Sequence, residues 1–284
     1  MRKVACRYSS QAEDQRSQRD SKTMSTAELI TSEIFKAPRT RIIRSQGSFT
    51  MHLNLPGFNL PEPDDHGYGP LALIVESILE PGTHIRLHEH TNDEIISWVP
   101  GGVMRHTDMT VGELVVDDRH LMVMNAGAGF WHEERVLPSD PYLRMLQIFV
   151  RPRAADLKPG IQFGEMPEAR LNEWRYLFGP ENSDAPFFVR NDAKFHDIRL
   201  SQGSQTALPA PPNGWDSYFY VFTGSVLAGG TPFTEAETGL IRRPDPTVLT
   251  ALEDSVVVCF SINPDAPAVR LGTVGRYRLS QASY

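Results

Sequence analysis

From residue 42 onward the apolar positions come in short runs rather than in long amphipathic stretches. Ile42–Arg44, Phe49–Leu53, Ala72–Leu79, Glu94–Val99, Glu113–Val116, Leu121–Asn125 and Leu143–Val150 are separated by clusters of Gly, Pro, Asn and Asp. Short apolar runs broken at intervals of about ten residues predict an antiparallel sandwich or barrel. Strands alternating with long helices are absent from the pattern, which argues against a doubly wound parallel sheet. Residues 151–190 change character, being rich in Pro, Arg and Glu, and read as a connection with a short helix around Glu168–Phe178. Strand-like runs then resume at Phe195–Leu200, Asp216–Phe222, Ser225–Leu227, Gly239–Ile241, Thr247–Ala251 and Ser255–Ile262. Before residue 42, Ser25 and Glu28 stand at capping-box spacing and predict one short helix within 24–38. Residues 1–23 read as a polar tail.

A length of 284 residues favours two domains at roughly 150 residues each. The predicted fold is all-β, with two antiparallel β-barrels of jelly-roll type and a few short helices. The division places a polar tail at 1–38, one barrel at 39–165 and a second at 166–284. A net charge of -7 gives no bulk attraction to nucleic acid or anionic membrane. There is no apolar run of about 18 residues that would span a bilayer. The first residues lack the apolar core of a secretory signal. The two cysteines, Cys6 and Cys259, form no spaced motif and suit a reducing compartment, so a cytoplasmic location is expected.

Candidate chemistry concentrates in two segments. In the first, His88 and His90 lie two residues apart after Gly82, with Glu94 and Gly101 following. Residues two apart on a strand share a face, so both imidazoles converge if that face is the interior. In the second, Gly127 and Gly129 precede His132 and Glu134, again two apart. Two adjacent strands would then present three imidazoles and one carboxylate inward. This set lacks thiolate and suits Fe(II), and equally Mn, Co, Ni, Cu or Zn. Glu94 shares the parity of His88 and His90, so it reads either as a pocket carboxylate that accepts a substrate proton or as a structural group. His106 and Asp108 read as a structural hydrogen bond. His66 and His120 read as surface or loop residues, and Phe130 and Trp131 as core or pocket rim. His84 precedes the motif on a Pro-Gly turn, and His196 is the one histidine after His132.

The first segment matches the leading motif of the cupin superfamily: Gly, five residues, His-x-His, three residues, Glu, six residues, Gly. More narrowly, Gly102, His106 and Asp108, followed by Met124, Ala126, Gly127, Gly129, His132 and Glu134, resemble the pirin family. That resemblance implies a bicupin whose N-terminal barrel binds one metal, usually iron, through His88, His90, His132 and Glu134. It implies a second barrel without ligands. Glu89, Thr91–Asp93, Met109 and Arg119 depart from the family pattern, so the pocket lining is altered. Some members resemble quercetin 2,3-dioxygenases, which would take a small aromatic enolate and O₂, with Glu94 or Glu134 receiving the substrate proton. Others act as regulators through a protein partner. A third option is an isomerase or hydrolase that uses the metal as a Lewis acid.

Overall fold

A computed structural model describes residues 33–242 and 246–274. The described residues form one compact unit. Its strands are, in order, β1 (Ile34–Ala37), β2 (Ile43–Gln46), β3 (Phe49–Asn54), β4 (Leu71–Leu79), β5 (His84–His90), β6 (Glu94–Trp98), β7 (Met104–Asp108), β8 (Gly112–Val116), β9 (His120–Asn125), β10 (Phe130–Arg135), β11 (Leu143–Val150) and β12 (Gly160–Glu165). The second half contributes β13 (Arg175–Pro180), β14 (Phe187–Val189), β15 (Ala193–Leu200), β16 (Gln205–Ala207), β17 (Asp216–Thr223), β18 (Ser225–Ala228), β19 (Thr231–Thr234), β20 (Thr238–Ile241), β21 (Val248–Ala251) and β22 (Ser255–Ile262).

The all-β expectation holds. The barrels do not close, however: each half is a seven-stranded sheet packed on a four-stranded one. In the first half the orders are β12-β9-β6-β11-β4-β3-β2 and β5-β10-β7-β8. In the second they are β1-β20-β17-β22-β15-β13-β14 and β16-β21-β18-β19. Pairing is antiparallel apart from the short contact of β13 with β14. One edge strand is exchanged: β1, which precedes the first half, pairs with β20 of the second.

Two helix expectations fail where they can be compared. Residues 34–37 are strand, because Ile34 and Phe35 pack on the second half's cores. The capping pair Ser25 and Glu28 lies outside the described residues. The Glu168–Phe178 helix is replaced by a bridge at Leu171 and by β13. Leu177 and Phe178 are fully buried there, and Arg175 donates to Asp197 at 2.9 and 2.6 Å. Leu177 and Phe178 both join the core shared by the two halves, across a bulge between Tyr176 and Phe178. His66 is also buried rather than superficial, held between Asp65 and Arg151.

Side-chain alternation decides what each face of the first large sheet does. Ile74, Ile96, Trp98, Leu146 and Ile148 share one core with Tyr218, Tyr220 and Phe260 of the second half. Polar bonds cross the same boundary. Tyr68 donates to Asp216 (2.5 Å), Trp98 Nε1 to Asp197 (3.0 Å) and Tyr220 to Glu76 (2.8 Å). Buried polar atoms cost about 1–3 kcal/mol each when left unpaired, so these bonds fix how the halves meet. The opposite face, carrying Leu73, Val75, Ile95 and Phe149, turns toward the small sheet and encloses a cavity.

Candidate metal centre

The cavity, about 420 Å³ in volume, lies between the two sheets of the first half. His88 and His90 enter it from β5, and His132 and Glu134 from β10. The two strands are partners, with His88 directly opposite His132. A bulge in β5 follows, with Arg86 and Leu87 facing Glu133 alone; His132 and Glu134, two apart on the unbulged strand, share the inward face, and the bulge brings Ile85 opposite Glu134. Ligand atoms of His88, His90 and His132 lie within 4.8 Å of one another. Glu134 forms a second such group with His132 and His106. Both Glu134 oxygens accept from Gln147 Nε2, at 2.8 and 2.9 Å.

Hydrogen bonds orient the imidazoles. His88 Nδ1 donates to the Arg86 carbonyl at 2.8 Å, which leaves Nε2 as its lone pair. Asp108 Oδ1 accepts the Thr110 and Val111 N–H groups, at 2.5 and 3.0 Å, while its Oδ2 accepts His106 Nε2 at 2.8 Å. Neutral His106 then offers an acceptor at Nδ1, 3.1 Å from His132 Nδ1. His132 donates to it, so its own Nε2 carries a lone pair, and that atom is buried with no partner. His90 Nδ1 is likewise buried without a hydrogen bond, 3.5 Å from Asp93 Oδ2.

The electrostatics fit a cation. Burial, reinforced by the neighbouring histidines, holds His132 far below the ordinary imidazole value. Burial also lowers His88 and His106. These rings are therefore neutral, the form that coordinates metal. Burial pushes the Glu134 carboxyl up to about 7, against the pull of His90 and the Gln147 amide. Unpartnered lone pairs beside a desolvated carboxylate make up the donor set a divalent ion requires.

Glu94 lies outside this group. It is fully buried, but among the cavity's walls its neighbour Ile95 takes the inward place. Arg190 Nε and Nη2 donate to Glu94 Oε1 at 2.8 and 2.6 Å, and Asn125 and the Arg190 N–H donate to Oε2 at 2.5 and 3.1 Å. Parity does not carry across from His90, because Asn92 takes a left-handed turn (φ 52°) and β6 starts a new count. Trp131 points outward and is 51% exposed, while Phe130 joins the core. No residue of the Asn125–Trp131 segment lines the cavity. Gly127 (φ 52°) instead packs against the chain at Leu157, whose carbonyl would sit 2.0 Å from an added Cβ. His84 is turned outward to Glu133 (3.1 Å), and His120 stacks on Phe163.

Sequence reasoning missed Gln147, Asp93 and the far end of the chain. Gln147 was visible as a lone amide within the run Leu143–Val150. Thr273 and Val274 line the cavity with no local signal at all. Their strap is tied down by Thr273 N to the Thr91 carbonyl (2.9 Å) and Val274 N to Asp93 Oδ2 (3.1 Å).

Paired sandwiches with inward His-x-His and His-x-Glu on adjacent strands are the arrangement that the cupin resemblance implies. Residues 57–150 match the pirin family model. It is similar to a pirin-like protein of Caulobacter vibrioides, 27% identical over 69% of this chain and 85% of that one. It is also similar to the quercetin 2,3-dioxygenase of Escherichia coli K12, 23% identical over 72% of this chain and 88% of the other. Among solved structures, the bacterial pirin YhhW of Escherichia coli in complex with nickel(II) has the same fold. The TM-score is 0.70, with 19% identity, covering 84% of this chain and 100% of that one. Among the described residues no helix is long and apolar enough to cross a membrane.

Proposed function

We propose that this chain is a metal-dependent dioxygenase of the quercetin 2,3-dioxygenase kind, with Fe(II) held by His88, His90, His132 and Glu134. The observation that carries this reading is the buried, unpartnered Nε2 of His132 beside a cavity large enough for a small aromatic molecule. A divalent ion held by these residues would supply Lewis acidity and a route for electrons to O₂. Three neutral imidazoles and one carboxylate leave about +1 on the site, which favours an anionic substrate oxygen. Glu134 is the one carboxylate among the cavity's lining residues, so it is the group placed to receive an enol proton. Gln147 holds that carboxylate in place through both oxygens. Anaerobic loading with Fe(II) followed by O₂-uptake measurements against a panel of flavonols tests the reading. Consumption of O₂ in step with loss of the flavonol is the expected result.

A second reading is a metalloprotein that works through a protein partner. Leu87 and Trp131 support it, because both are exposed on the outer face of the sheet that bears the ligands. Absence of O₂ uptake with every flavonol, together with retained metal, would favour this reading.

A further inference from the structure

We infer that the cavity selects a sparsely hydroxylated, largely apolar enol with an adjacent carbonyl, and discriminates against polyhydroxylated flavonols; this rests on the dioxygenase reading of the same site. The argument starts from the walls. Met51, Leu53, Leu73, Val75, Ile95 and Phe149 form a continuous apolar surface contributed by four neighbouring strands of the large sheet. Apart from the candidate ligands, the polar lining residues are Arg44, Gln147 and Thr273. The Gln147 amide donates to both Glu134 oxygens. The Thr273 hydroxyl accepts the Thr91 N–H at 2.8 Å and lies 3.3 Å from the Thr91 hydroxyl. Arg44 belongs to β2, whose residues are all exposed.

Polar chemistry is therefore concentrated at the histidine cluster, with exposed Arg44 and the Thr273 hydroxyl as the other polar groups, and the wall formed by Met51, Leu53, Leu73, Val75, Ile95 and Phe149 offers hydrocarbon. A cavity of about 420 Å³ falls in the range that buries most of a small ligand. Hydroxyls on the substrate rings would be taken from water and left without partners. Each such group weakens binding by roughly tenfold or more. An enol and its neighbouring carbonyl escape this penalty, because they face the cluster.

The test is binding to the full chain loaded with nickel(II), under anaerobic conditions, with 3-hydroxyflavone, quercetin and flavone as probes. 3-Hydroxyflavone carries only the enol, quercetin adds several ring hydroxyls, and flavone lacks the enol. 3-Hydroxyflavone is expected to bind at least about tenfold more tightly than either of the others. Quercetin binding as tightly as 3-hydroxyflavone would overturn the inference, as would equal binding of flavone or no binding by any probe. Val75→Thr, which places a hydroxyl in the wall, is expected to narrow the gap between 3-hydroxyflavone and quercetin; Ile95→Thr serves the same purpose from the next wall. If 3-hydroxyflavone binds selectively but the iron form consumes no O₂ with it, the substrate class stands and only the dioxygenase reading fails.

Discussion

The two halves share one architecture and use its interior in opposite ways. In the first, the space between the sheets is a cavity into which β5 and β10 direct three imidazoles and a carboxylate. In the second, β16 and β21 stand in the corresponding places of the small sheet. The inward residues of β21 are Leu249 and Ala251, and Phe219, Phe233 and Val257 fill the space around them. The Phe219 and Phe233 rings meet edge to face at 4.8 Å. A jelly roll thus tolerates either a filled core or a functional hollow. The choice rests on a few inward positions, while the filled half and the shared boundary supply the rigidity that the hollow one lacks.

Substitutions can break or sharpen this contrast. Phe233→Ala should destabilise the protein by about 3–5 kcal/mol, the cost of a void in a packed core. Val75→Ala, in the wall of an existing cavity, should cost only roughly 1 kcal/mol. Chemical denaturation of the two variants compares them directly, and equal losses would mean that the first half is packed like the second. Glu94→Gln removes the partner of buried Arg190 and should cost about 3 kcal/mol or more. Its metal content and turnover per folded molecule should remain at wild-type levels. A loss of turnover without a loss of stability would return Glu94 to the reaction.

Smaller effects probe the support of the ligands. His106→Ala removes the acceptor that fixes the His132 tautomer and should weaken metal binding by roughly 10–100-fold, measured by competition with a chelator. pH supplies the last comparison. Without metal, Glu134 holds a proton up to about pH 7. A metal must displace that proton, so affinity should fall about tenfold per pH unit as pH drops below 7. Glu134→Gln should flatten this part of the profile.

Much of this arrangement is legible in the sequence, and the failures have physical causes. Two-residue spacing marks His88 with His90, and His132 with Glu134, because strand geometry converts that spacing into a shared face. The same rule puts Trp131 outside once His132 is inside, yet its aromatic character suggested core. Parity misled at Glu94 because the count cannot pass a left-handed residue such as Asn92. The swapped strand at Ile34–Ala37 and the strap at Thr273–Val274 depend on contacts across most of the chain. Local patterns carry no trace of such contacts. The segment around Glu168–Phe178 has helix-forming residues, and tertiary burial of Leu177 and Phe178 overrode them.

The central claim is one metal site, in the first half, built on β5 and β10. Elemental analysis of the purified full chain after loading with a divalent metal and removal of excess tests it most directly, with wild type and His90→Ala compared side by side. The account predicts one metal per wild-type chain and loss of most of it in His90→Ala, with the variant retaining its folded near-ultraviolet spectrum. Two metals per chain, or full retention of metal in folded His90→Ala, would contradict it.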